Sequence, residues 1–145
     1  MTDYCTVANV EAKIKGTTFS ATTVVKESEV EEFIAYNSAY IDGRLNTVYE
    51  VPITGAGALL IMKKICLCLT VPEVQEILGQ GLGRLKEGEK DTKESCPAQA
   101  FEMLNQIETG ELELPDATAK TANDFYNSNV ADGREPTVKK DETQW

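Results

Sequence analysis

The strongest constraint on this chain is one stripe of side chains. Val30, Phe33, Ile34, Asn37, Ile41, Leu45 and Val48 recur at steps of three and four, the spacing that gathers residues on one face of an α-helix. Only Asn37 interrupts the apolar series, while Glu31, Glu32, Ser38 and Asp42 fall on the side expected to meet solvent. Ser28-Glu-Val-Glu31 reads as a capping box that opens the helix, serine and glutamate each satisfying a backbone donor of the other's. Tyr49-Glu-Val-Pro52 closes it, because the residue before proline resists the helical region and proline donates no hydrogen bond. Gly43, inside the helix, implies a close approach by a neighbouring helix.

A helix with one apolar face needs other elements to cover that face. Ala56 to Leu69 is apolar on nearly every side except at Lys63 and Lys64, which predicts a central helix surrounded by others. Pro72 is expected to kink or restart it, with Val74, Ile77 and Leu78 continuing the pattern to Gly79. The apolar run Leu59 to Val71, 13 residues broken by two lysines, is too short to span a bilayer. Upstream, Thr6 caps a short helix from Val7 to Lys15 ended by Gly16, and the threonine-rich stretch Thr17 to Lys26 lacks helical periodicity and reads as a loop. Downstream, Pro97 starts a last helix to Thr109, with Phe101, Leu104 and Ile107 inward and Gly110 just past its end. The expected fold is all-α, a small bundle of about four helices.

Two stretches stand outside that bundle. Residues 79–95 hold four glycines and eight charged residues and read as an exposed, mobile loop. The final 31 residues, 115–145, contain no leucine, isoleucine, methionine or cysteine and cannot build a core of their own. The chain therefore divides into a helical body, 1–114, and an extended tail, 115–145. Phe125, Tyr126, Val138 and Trp145 are isolated large residues in that tail, expected to anchor it on a partner.

Composition narrows the chemistry. The 145 residues include no histidine, which removes the commonest general base, the Ser-His and Cys-His pairs and the commonest metal ligand. Acids outnumber bases 24 to 14, and a net charge of −10 repels nucleic-acid backbones and anionic membranes. Cys5, Cys66, Cys68 and Cys96 include no CxxC pair and no signal segment precedes them, so they read as reduced cytosolic thiols. Cys66 and Cys68, two apart on a helix, point to nearly opposite sides and do not form a metal site. Gly79-Gln-Gly-Leu-Gly83 lacks the Gly-Lys-Ser/Thr of a phosphate loop and follows no strand. The acid pairs Glu31 with Glu32 and Glu111 with Glu113 read as solvated surface. No catalytic residue, metal or cofactor is expected. Lys63 and Lys64 are the unusual charges, since burying an ammonium without a partner is costly; they are expected to reach a neighbouring acid, to extend their charged ends to the domain surface, or, as interface candidates, to meet an acidic neighbouring subunit.

Tyr4-Cys-Thr-Val-Ala-Asn-Val10 leads into the first helix, Ser38-Ala-Tyr-Ile-Asp-Gly-Arg-Leu45 ends the second, and Tyr49 with Pro52-Ile53 forms the turn before the third. Thr109-Gly-Glu-Leu-Glu-Leu114 follows the last helix. In this order the pieces resemble the head-tail connector, or neck adaptor, proteins of long-tailed bacteriophages, including the Mu-like group, over about Tyr4 to Leu114. The glycine-rich stretch at 79–95 and the tail after Pro115 depart from that pattern.

The resemblance implies a virion protein, assembled in the host cytoplasm, that forms a homo-oligomeric ring, twelvefold in the family, on the portal protein. Such a ring extends the DNA channel, passes DNA without binding it specifically, and receives stopper or tail-completion proteins. The tail anchors Phe125, Tyr126, Val138 and Trp145 would then grip portal or a neighbouring subunit, raising the local concentration of one ring on the other. The competing reading is a small cytosolic regulator that binds one partner through the same tail. An enzyme using carboxylates alone needs two acids held across a cleft, for which four short helices leave little room.

Overall fold

The computed structural model describes residues 2–79 and 95–120. They form four helices, α1 (Val7–Lys13), α2 (Glu27–Leu45), α3 (Ala56–Ile77) and α4 (Cys96–Thr109). The all-α architecture follows the sequence reading, and α3 packs against each of the other three helices. Its position explains its composition: Met62, Ile65, Cys66 and Val74 are fully buried, and Val10, Ile41, Leu45, Leu104 and Ile107 close around them from the other helices. Among the described residues no helix is long and apolar enough to cross a membrane.

The helix ends differ from expectation in ways that local chemistry explains. α1 stops at Lys13, two residues early, and Gly16 takes a left-handed φ of +78° just beyond it. The residues between α1 and α2 form no regular element and are held by buried Phe19 and Val25. α2 starts at Glu27, so Ser28 lies inside it; Glu29, not Glu31, supplies the capping carboxylate, its Oε2 accepting the Lys26 N–H at 2.7 Å. α2 also ends at Leu45, not at the proline turn, because Tyr49 is drawn into an antiparallel bridge with Ala119. Pro72 neither breaks nor restarts α3, which runs through it as one helix of 22 residues. That continuity costs the bond to the Cys68 carbonyl, and the burial of Leu69 and Val74 on either side offsets it. α4 begins one residue early, at Cys96, with the Ser95 hydroxyl accepting the Ala98 N–H and Gly110 in the left-handed region at its end.

Several side chains also face otherwise than expected. Ser38, placed on the solvent side by periodicity, is fully buried and accepts the Tyr4 N–H at 3.1 Å. Phe101, expected inward, is 43% exposed, and Ala100 takes its place against the core. Gly43 meets no neighbour. The close approach falls at Gly55 instead, where an added Cβ would lie 2.3 Å from the Asp116 carbonyl oxygen.

That contact belongs to a strap. Leu114 is buried, and beyond it Glu50 N–H donates to the Thr118 carbonyl and Lys120 N–H to the Val48 carbonyl, both at 2.8 Å. Lys120 Nζ also reaches the Asn46 carbonyl and side-chain oxygens at 2.7 Å. The body therefore continues through Lys120, past the boundary expected at Leu114, and the first six residues assigned to the tail are part of it. The glycine-rich stretch from 80 to 94 and the tail anchors Phe125, Tyr126, Val138 and Trp145 lie outside the described residues.

Candidate functional site

The two lysines singled out from the sequence stand on the rim of a groove. α1, α3 and the start of α4 enclose about 600 Å³ between them. On α3, Leu60, Lys63, Lys64, Leu67 and Val71 recur at helical spacing and so share one side of the helix. α1 contributes Asn9, Ala12 and Lys13, again at steps of three and one, and α4 contributes Cys96 and Gln99. The floor is apolar, the rim carries three ammonium groups, and no acid lines it. Lys63 is half-buried and Lys64 exposed, so both solve the burial problem by keeping their charged ends at the surface. Among the described residues none of the three lysines is in an ion pair. In a chain of net charge −10, this is a local reversal of sign.

The groove wall is held by a disulfide that the sequence reading did not expect. Cys68 on α3 and Cys96 at the first position of α4 are bonded, 28 residues apart in sequence. The expectation of four reduced thiols fails for this pair, for a spatial reason: α4 folds back so that its first turn lies beside the middle of α3. No spacing rule signals such a pairing. Cys66, two residues earlier, points the other way as predicted, toward Cys5.

A second groove, of about 330 Å³, lies between α2, α3 and α4. Its α3 residues are Leu69, Pro72, Glu73 and Glu76. At 3.6 residues per turn these lie about half a turn around α3 from the Leu60–Val71 stripe. Tyr36, Tyr40 and Phe101 supply aromatic surface, with Tyr36 67% exposed and Phe101 packed edge-on against Tyr40 at 6.3 Å between centroids. No base lines this groove. Glu73 is oriented from below by Asn37, whose Nδ2 donates to Glu73 Oε2 at 3.1 Å and to Thr70 Oγ1 at 3.0 Å. The one polar interruption of the α2 stripe thus ties α2 to α3 beneath the acidic groove.

A third cluster joins separate parts of the chain. Tyr4 donates its hydroxyl proton to Asp42 Oδ1 and accepts the Ile53 N–H at 2.9 Å. Burial pushes the Tyr4 phenol up, and donation to the Asp42 carboxylate adds to the rise. Tyr4, Ser38, Asp42 and Ile53 all belong to the sequence pieces quoted for the resemblance, and here they meet. The acid pairs expected on the surface, Glu31 with Glu32 and Glu111 with Glu113, are exposed.

Compared with known families and with curated proteins, the chain matches no family model and no curated protein. Of the charged groove residues, only Lys63 and Lys64 were signalled in sequence, by their intrusion into an apolar helix. Lys13, Glu73 and Glu76 carry ordinary charges on ordinary helix surfaces, and only packing brings them to a groove.

Proposed function

We propose that this chain is a structural subunit that assembles head-to-tail with copies of itself. The observation that carries this reading is the pair of grooves on opposite sides of α3, one apolar with a lysine rim and the other aromatic with Glu73 and Glu76. Two different, complementary faces give a heterologous contact, and a heterologous contact that closes makes a ring. The charge pattern sets register more than it sets affinity, while the exposed Leu60, Tyr36 and Phe101 supply apolar surface to bury.

The finer proposal is the neck of a long-tailed phage. There the chain forms the adaptor ring on portal, lines the DNA channel and receives the stopper. The supporting observation is that the pieces resembling connector proteins converge on Tyr4. The negative body suits a channel wall along which DNA slides without sticking. The tail beyond Lys120, with Phe125, Tyr126, Val138 and Trp145, is then the arm that reaches portal or a neighbouring subunit.

Sedimentation velocity and electron microscopy over a concentration series test the assembly. Rings are expected from the wild type, and monomers from Lys63→Glu with Lys64→Glu. A Glu76→Lys variant, also impaired alone, is expected to co-assemble when mixed with the lysine-reversed chain, because each reversed face meets its complement. A wild type that stays monomeric both alone and with purified portal rings would sink the reading.

A further inference from the structure

Two thiols outside the established disulfide lie almost within bonding reach. Cys5 Sγ and Cys66 Sγ are 3.2 Å apart, closer than two sulfurs in simple contact, against a bond length of about 2.05 Å. Both are buried, Cys5 to 3% exposure and Cys66 completely. The pair has no place in the assembly surfaces. From this juxtaposition we infer that Cys5 and Cys66 are a second oxidation site, forming an intramolecular disulfide with a small-molecule disulfide as oxidant.

The surroundings favour the chemistry. The Cys5 and Cys66 sulfurs are joined by a hydrogen bond, and the Ser38 and Thr70 hydroxyls lie 3.7 and 4.0 Å from the Cys66 sulfur. Those hydrogen bonds hold the Cys66 thiol below its usual range, while the bond to Cys66 and burial raise Cys5. Cys66 is thus the readier thiolate of the two. Cys5 lies in the non-helical stretch ahead of α1, and its neighbour Tyr4 is tied down by the bonds to Ser38, Asp42 and Ile53. A local opening of that stretch exposes Cys5 without unfolding the bundle.

The steps balance as thiol–disulfide exchange. In the open state the Cys5 thiolate attacks a disulfide RSSR, forming the mixed disulfide Cys5–S–SR and releasing RS⁻. On closing, the Cys66 thiolate attacks Cys5 Sγ, the Cys5–SR bond breaks, and a second RS⁻ leaves. The two thiol protons end on the two RS⁻ groups, so the protein loses two hydrogens and RSSR is reduced to two RSH. The consequence is mechanical. The stretch leading into α1 becomes bonded to α3, as α4 already is through Cys68 and Cys96, and both walls of the lysine groove are then fixed to its floor.

The inference does not depend on the assembly reading, and its test reads only sulfur. A Cys68→Ala, Cys96→Ala double variant leaves Cys5 and Cys66 as the cysteines of the chain. It is incubated folded with oxidised glutathione, then denatured and alkylated without reduction. The expected product has lost two hydrogens and carries no alkyl group, and a dithiol reverses the change. Two alkyl groups, or stable glutathione adducts on either sulfur, would overturn the inference. Should the double variant fail to fold, the oxidised wild type is digested and fragmented between Cys66 and Cys68. Linkage of Cys5 to Cys66 is expected, and alkylated Cys5, or Cys5 paired with Cys68 or Cys96, would refute it.

Discussion

Arg44 reaches from α2 to α4 with a forked grip, its Nη2 donating to Glu108 Oε2 at 2.7 Å and its Nε to Oε1 of the same carboxylate. The Arg44 guanidinium beside it holds the Glu108 carboxyl below the usual carboxylate range. A carboxyl whose folded value is lowered contributes stability above its unfolded value, and that contribution is lost as pH falls through the folded one. Both side chains are about a quarter exposed, so screening keeps the contribution to about 1 kcal/mol. Glu108→Gln is therefore expected to cost about that much in urea melts at neutral pH, with the difference from wild type closing in strongly acidic solution. An equal difference at both pH values would remove the ion pair from the account. Gly55 makes a sharper case, because an added Cβ would overlap the Asp116 carbonyl, which is backbone and cannot swing aside. Gly55→Ala is expected to lift the strap at a cost of roughly 2 kcal/mol, read as faster proteolysis after Leu114 together with a lower melting temperature.

Among the elements, α3 does the most. It is the core of the bundle, the floor of both grooves and the partner of Cys96 through Cys68. Closing a loop of this length contributes about 3–4 kcal/mol, so the Cys68→Ala, Cys96→Ala variant should melt at correspondingly lower urea than the oxidised wild type. Unchanged midpoints would mean that the bond does not form in solution. The helices were readable because their signals are local: the Val30–Val48 stripe, the proline and glycine at the two ends of α4, and the apolar girth of α3. What stayed hidden depends on parts of the chain that meet only after folding. Ser38 looked solvent-facing until Tyr4 came to cover it, and Phe101 looked buried until packing turned Ala100 to the core in its place. Cys68 and Cys96 carry no spacing signature, and the Tyr49–Ala119 bridge could not be foreseen from two segments 70 residues apart in number.

For the molecule as a whole, the strap and the charge layout make separate forecasts. A chain ending at Lys120 keeps Leu114, the Tyr49 bridge and the cover over Gly55, and is expected to melt like the full-length protein. One ending at Leu114 loses the bridge and that cover and is expected to be less stable by about 2–3 kcal/mol. Equal stability of the two would show the strap to be dispensable. Contacts steered by exposed lysines and glutamates weaken as salt shortens the reach of their fields. The proposed ring, assembled at about 0.15 M salt, is therefore expected to lose ground at about 1 M, shifting toward the monomers expected of Lys63→Glu with Lys64→Glu.

The Cys68–Cys96 bond also encloses residues 80–94 in a covalent ring. A single proteolytic cut anywhere in that interval leaves the two halves joined, and the nicked protein should run as one species on a non-reducing gel. Only after reduction would it part into two bands, so the chain can tolerate a severed backbone there without losing either half.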